Sequence, residues 1–247
     1  MSEDGLKSQT VSSLVWKLLE RGGNQIIQLA VQVVLSRILV PEDFGALAIM
    51  LVFVNIGNAI VQSGLNTAIV QAPEIDEGDC STVFWMSFVI SIILYFGTFI
   101  FAPAVATFYS MPAIVWPLRV LCLILPLGAF NSAQIAIVQR RLQFRKIFIA
   151  TMFAVVSSAV FGIGLAAAGT GIWALVVQQL VYQAVSCVVM AFQVRWRPRF
   201  VFVASRASRL FSFGWKLLAS GLLEQVYESL SDLIIGKQFS ATSLGLV

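Results

Sequence analysis

The chain has 247 residues, 59% of them hydrophobic and only 11% charged, with a formal net charge of +4 and no histidine. A soluble domain carries about 25% charged residues, so one core cannot hide this much apolar surface and a large part of it must face lipid. The absence of histidine removes the commonest general base and metal ligand. Cys80, Cys122 and Cys187 are too widely spaced for a zinc motif or a disulfide framework.

The polar start, MSEDGLKSQTVSS, carries acids and no cleavage-type pattern follows it, so it does not read as a signal peptide. Seven apolar segments come next, each near the ~20 residues that a spanning helix needs. Their cores are 14–40, 44–71, 82–108, 115–138, 146–168, 172–194 and 210–236. The breaks are VPEDFG at 40–45, the acidic QAPEIDEGDCST at 71–82 and the proline-bearing YSMPAIVWP at 109–117. Then come the basic QRRLQFRK at 139–146, the hairpin GTG at 169–171 and the arginine-rich RWRPRFVFVASRASR at 195–209. Within the acidic link, Glu74, Asp76, Glu77 and Asp79 read as a solvated turn, with Asp79 or Ser81 capping the third span.

Orientation follows from lysine and arginine. With a cytoplasmic N-terminus, every basic residue except Arg37, Arg119 and Lys237 falls on the inner side. Trp16, Trp196 and Trp215 then sit at the inner interface, and Tyr109, Trp116 and Trp173 at the outer one, as aromatic belts require. The basic links serve as topology signals or as contacts for anionic lipid headgroups. Arg119 reads as an outer-interface anchor.

The tetrapeptide WKLL opens the first span at 16–19 and recurs at 215–218, and Gly22 matches Gly221 at the same offset. Six intervening spans return the chain to its starting side, so the repeat is parallel, with its axis along the membrane normal. The expected fold is an all-α polytopic membrane protein with a six-helix lobe over 1–208. Residues 209–247 would supply the first helix of a second lobe, the chain being a truncated form of a protein about twice as long.

Polar residues run in stripes inside these spans. Lys17, Glu20, Arg21, Asn24, Gln25, Gln28 and Gln32 fall within an arc of about 140° at 100° per residue. Asn55, Asn58, Gln62 and Asn66 fall within about 80° on the second span. The sixth carries Gln178, Gln179, Tyr182, Gln183 and Ser186, and the seventh carries Glu224, Glu228 and Asp232. The third and fifth spans lack such a stripe and read as lipid-facing or packing elements. Three acids facing lipid would cost on the order of 8–10 kcal/mol, so the stripes are expected to face one shared, water-accessible cavity. Lys17 and Arg21 have the alternative of snorkelling to headgroups, and the second-span amides that of binding helices together. The helix 7 acids have the alternative of an ion pair with Lys17 or Arg21. No catalytic or nucleotide motif occurs, so neither an enzyme activity nor a cofactor or metal is expected.

In this order, QLAVQVVLSRILVPEDFGALAI, GLNTAIVQ, STVFW, QRRLQFRK, GIWALVVQQL and RWRPR resemble the polysaccharide transporter family. That family is a branch of the multidrug/oligosaccharidyl-lipid/polysaccharide flippase superfamily and includes colanic-acid and teichuronic-acid exporters and O-antigen flippases. The resemblance covers nearly the whole chain. It implies two facing six-helix lobes, with helices 1 and 7 opposed across a central cavity. It also implies flipping of an undecaprenyl-pyrophosphate-linked oligosaccharide across a bacterial inner (cytoplasmic) membrane. The substrate-binding set would be Lys17 and Arg21 on the pyrophosphate, with Asn24, Gln28, Asn55, Asn58, Gln62 and Asn66 on sugar hydroxyls. Glu224, Glu228 and Asp232 would hold Arg21 or bind a coupling cation or proton. The partners would be the lipid-linked oligosaccharide, membrane lipid and the polysaccharide biosynthesis machinery, not nucleic acid. The alternatives are a drug/cation antiporter of the same superfamily, for which an aromatic-lined cavity is expected, and a fragment inactive without its second lobe.

Overall fold

The computed structural model describes residues 3–62, 77–194, 196, 198 and 219–227, with side chains over 16–61, 78–194, 196, 198 and 219–227. Its helices are α1 (Glu3–Ser36), α2 (Pro41–Gln62), α3 (Glu77–Phe108), α4 (Val115–Leu121), α5 (Ile124–Arg140), α6 (Phe144–Ala167) and α7 (Ile172–Val194). A 3-10 turn over Pro112–Ile114 leads into α4, and residues 219–227 are helical. No strand occurs among the described residues. The second WKLL, Asn66, Glu228 and Asp232 lie outside the described residues.

Five segments among the described residues are long and apolar enough to cross a membrane: Pro41–Val61, Gly78–Phe108, Pro112–Arg140, Phe144–Ala167 and Ile172–Val194. The protein is therefore an all-α polytopic membrane protein. The outward faces carry the apolar stripes expected against lipid. On α3 the exposed Val89, Ile93, Phe96 and Ile100 follow a spacing of four, three and four. On α6 Phe153, Val156 and Val160 repeat at three and four.

Proline chemistry explains where two spans depart from simple rods. The fourth apolar segment is not one helix but α4 and α5, parted at Cys122–Leu123. Pro126 has no N–H to offer the carbonyl four residues back. That carbonyl, of Cys122, instead accepts from the Leu125 N–H at 3.0 Å, a tighter turn that ends one helix and starts the next. Pro103 lies inside α3 and leaves the Phe99 carbonyl without its helical donor. Arg119 of α4 supplies the replacement: its Nε donates to the Phe99 oxygen at 3.2 Å. Its guanidinium also lies 4.2 Å from the Phe99 ring centroid and 5.0 Å from that of Trp116. Arg119 thus caps a carbonyl freed by a proline, a role its expected place at the outer interface does not reveal. Arg119→Ala is expected to destabilise the protein by about 1.5–3 kcal/mol, and by much less in a Pro103→Ala background, where the helix satisfies Phe99 itself. Thermal unfolding of the four proteins in one detergent measures this, and equal losses in both backgrounds would reject the capping role.

The third span also differs from the sequence expectation at its start. Helix α3 begins at Glu77, so Asp79 and Ser81 lie inside it rather than at its cap, and both are buried. An acid in the first turn is favoured by the helix dipole. Three of the connections close alike. After α3, α5 and α6 the N–H groups of Met111, Gln143 and Thr170 reach back to the carbonyls of Ala106, Val138 and Leu165. Ser110, Leu142 and Gly169 hold the left-handed conformation that this closure requires.

Helix α1 packs against α6, α6 against α7, and α7 against α5, while α5 also carries α2 and α3. The main apolar core occupies one end of the bundle, where Leu35, Leu47, Met50, Ala106, Leu118, Leu121 and Leu175 meet. At the opposite end Trp16 packs at a tilt against Phe148, ring centroids 5.3 Å apart, Arg145 lies 5.8 Å from the Trp16 ring, and Phe84 meets Trp196 at 6.0 Å. The start of α1, the basic 139–146 link, the start of α3 and Trp196 therefore share one end, as an even number of crossings between them requires. Only small apolar clusters fill this end, and the space left is the candidate site.

Candidate functional site

Helix α1 lies along α6 rather than α7, and the gap on its other side holds two clefts. The first, of about 360 Å³, opens at the basic end. Its wall is built from Lys17, Glu20 and Arg21 of α1, Asn131, Ser132 and Gln139 of α5, Thr151 of α6, and Tyr182, Gln183 and Ser186 of α7. The residues of α5 fall on one face because 128, 131, 132, 135 and 139 repeat at helical spacing. Charges are confined to α1 here: Glu20 sits within the fields of Arg21 and Lys17, and the Lys17 ammonium lies 5.7 Å from the Phe144 ring.

Deep in that wall Asn131 donates from Nδ2 to the Ser186 hydroxyl at 3.1 Å. Asn131 is 5% exposed, yet its Oδ1 has no partner among the described residues. A buried acceptor left open in the wall of a cleft suits a ligand hydroxyl or a bound water.

The second cleft, of about 280 Å³, lies further along the same seam. Gln28 and Gln32 of α1, Ser158 of α6, and Gln178, Gln179 and Tyr182 of α7 supply its polar groups, over a floor that includes Phe44, Leu47 and Leu51. Gln28 also donates from Nε2 to Asn24 Oδ1 at 3.1 Å, tying two members of the α1 stripe together. Tyr182 lines both clefts. From Lys17 to Gln32 the seam runs about 22 Å at 1.5 Å per residue. Both volumes are near the lower end of small-molecule sites, which begin at roughly 300 Å³.

A family model described as a polysaccharide biosynthesis protein matches residues 34–247. The chain belongs to this polysaccharide biosynthesis protein family. It is 29% identical over 241 residues to the succinoglycan biosynthesis transport protein ExoT of Rhizobium meliloti, covering 97% of this chain and 49% of that relative. It is 23% identical over 193 residues to the teichuronic acid biosynthesis protein TuaB of Bacillus subtilis, covering 76% of this chain and 39% of that one. The lipopolysaccharide biosynthesis protein WzxC of Escherichia coli is 22% identical over 246 residues, covering 97% and 49%. The chain thus spans about half the length of these relatives or less. No solved structure matches it.

Within this family member, the residues expected to bind substrate fall into three groups. Lys17 and Arg21 line the first cleft and Gln28 the second, with Asn24 hydrogen-bonded to Gln28. Asn55 and Asn58 line neither cleft; Asn55 is exposed, and Asn58 is half-buried and has a contact of its own. Glu224 is exposed on the 219–227 helix and lines neither cleft, while the side chain of Gln62 lies outside the described residues, as do Asn66, Glu228 and Asp232. The place opposite α1 is taken by the sixth-span stripe and by α5 and α6. Asn131, Ser132, Gln139, Thr151 and Ser158 were not singled out from sequence. The only signal for Asn131 and Gln139 was a pair of amides eight residues apart in an apolar run, which puts both on one helix face.

Proposed function

We propose that this chain forms the first lobe of a transporter that moves a lipid-linked oligosaccharide, an undecaprenyl-pyrophosphate glycan, across the bacterial inner membrane. Residues 1–208 form that lobe, and 209–247 begin a facing one. The N-terminus is cytoplasmic, because the basic residues with described side chains, Arg37 and Arg119 apart, gather at the end that holds Lys17, Arg21 and the 139–146 link. The carrying observation is the first cleft: two cations at its mouth, one carboxylate, and a wall of amides and hydroxyls. The polyprenyl tail stays in lipid while the head group needs a wet, hydrogen-bonding path. Arg21 and Lys17 pair with pyrophosphate oxygens, the guanidinium in a two-pronged fit, and Asn131 accepts from a sugar hydroxyl. The relatives named for succinoglycan transport, teichuronic acid and lipopolysaccharide support the glycan class. Seven amides line the two clefts against three aromatic rings, those of Phe44, Phe144 and Tyr182, a balance that favours a sugar head group over a drug-like cation. Glu224, Glu228 and Asp232 of the second lobe hold Arg21 between cycles or bind the coupling cation. The charged cleft lies at the inner end, so the head group loads from the cytoplasmic side and rocking of the lobes releases it outward.

Export of glycan from cells carrying Lys17→Ala with Arg21→Ala tests this reading. Loss of export at unchanged membrane protein level is expected. Undiminished export would remove both cations from the mechanism and with them the pyrophosphate site.

A further inference from the structure

The two clefts differ in charge, and the difference runs along the bundle axis. Among the described residues, every charged residue of the seam lines the first cleft, at the basic end. None of them lines the second, whose described polar groups are all neutral: four glutamines, a serine and a tyrosine. Each glutamine presents a carbonyl acceptor beside an NH₂ donor, a pair that matches adjacent hydroxyls on a sugar ring. The floor of Phe44, Leu47 and Leu51 is apolar, which matches the C–H face of such a ring. A phosphate would find no cation there, and a cationic ligand no carboxylate.

We propose that the seam is divided, the first cleft holding the phosphates and the second serving as a separate subsite that reads the neutral part of the glycan. Tyr182, which lines both, marks the junction. This rests on the reading of the chain as a lipid-linked oligosaccharide transporter and adds the polarity of the bound head group. Phosphates lie at the cytoplasmic end and sugars deeper, toward the outer face. That order is the one a lipid anchored in the inner leaflet must take when its head group enters the protein ahead of its tail. Gln178 and Gln179 of α7, both half-buried, and Gln28 and Gln32 of α1 then set which sugars are accepted, because an amide that the ligand desolvates without offering it a hydroxyl partner penalises the wrong ring. Gly162 of α6 backs the subsite without lining it. A Cβ there would lie 3.1 Å from both Cβ and Cγ of Gln178, so an alanine would push that side chain by a few tenths of an ångström.

Equilibrium dialysis of the full-length protein in detergent tests the division with two probes. One is inorganic pyrophosphate. The other is the repeat-unit oligosaccharide freed by mild acid from the host's own polyprenyl-linked pool. Gln178→Leu with Gln179→Leu is expected to weaken oligosaccharide binding about tenfold or more, the loss of one or two neutral hydrogen bonds, and to leave pyrophosphate binding unchanged, which also reports that the variant is folded. Arg21→Ala is expected to do the reverse. Gly162→Ala is expected to weaken the oligosaccharide alone, through Gln178. Equal losses for both probes in the double glutamine variant, or no loss for the oligosaccharide, would overturn the division. An unsubstituted protein that binds pyrophosphate but not the oligosaccharide would overturn the subsite and leave the transporter reading standing. One that binds neither would overturn both.

Discussion

Arg21→Glu is expected to abolish glycan export, Arg21→Ala to reduce it roughly ten- to hundredfold, and Arg21→Lys to retain a measurable part. The order follows from what each side chain offers a phosphate. A hydrogen bond to a charged group contributes about 1.5–3 kcal/mol, and each 1.4 kcal/mol is about tenfold, which sets the alanine range. Lysine keeps the charge but replaces the planar fork with a point ammonium, so attraction survives and geometry does not. Glutamate reverses the sign. It repels the pyrophosphate and also Glu20, which shares the cleft mouth, by about 3 kcal/mol for charges ~5 Å apart at an effective dielectric of about 20. Export is measured as surface or secreted glycan, normalised to protein in the membrane fraction. Three equal losses would mean that position 21 acts through packing and not through charge.

The second large effect is one of fit. Gly57 of α2 approaches α5 so closely that a Cβ would lie 2.8 Å from Cδ2 and 3.1 Å from Cδ1 of Leu125. Leu125 stands in the first turn after the break between α4 and α5 and is 1% exposed, so it has little room to retreat. Gly57→Ala is expected to destabilise the lobe by about 1–3 kcal/mol, the usual range for overpacking, and Gly57→Val by more. Leu125→Ala also destabilises on its own, through the cavity it leaves. Combined, the two changes compensate, because the added methyl enters the vacated space. Thermal unfolding of the single and double variants checks this. Strict additivity would show that the contact between these helices is not what holds them. The consequence for the site is direct: α5 carries Asn131, Ser132 and Gln139, so an α5 pushed away from α2 moves one wall of the first cleft.

The membrane class and the extent of most spans were legible in the sequence because both follow from composition and from breaks rich in proline, glycine and charge. The split of the fourth span was less so. Pro126 lies in an apolar run whose hydropathy does not change, and only its missing N–H against the Cys122 carbonyl reveals the break. Arg119 was readable as an interface residue, but not as a partner of Pro103, since the two stand on different helices and nothing in their sequence spacing links them. The stripe on α1 was clear because it holds charges at helical period. Which stripe would lie opposite it was not. Periodicity gives each helix a polar face but not its neighbours, so the sequence reading sets Asn55 and Asn58, and not Gln178 and Gln179, beside the α1 stripe. The packing of α1 on α6 decides in favour of α7 across the gap. Thr151 and Ser158 carry little sequence signal, because isolated hydroxyls in an apolar helix often bond their own backbone, as Ser158 does to the Val155 carbonyl at 2.9 Å.

The central claim is that the seam between α1 and α7 is wet while the outer faces of the same helices and their neighbours meet lipid. Solvent labelling of single cysteines measures this most directly, in a background where the buried Cys80, Cys122 and Cys187 have been replaced. Cysteines at positions 21, 178 and 183 are expected to react with a membrane-impermeant thiol reagent added to the cytoplasmic side of inverted vesicles, and those at 93 and 161 to stay unreacted. Reaction at 93 and 161 with 21, 178 and 183 sealed would contradict the account.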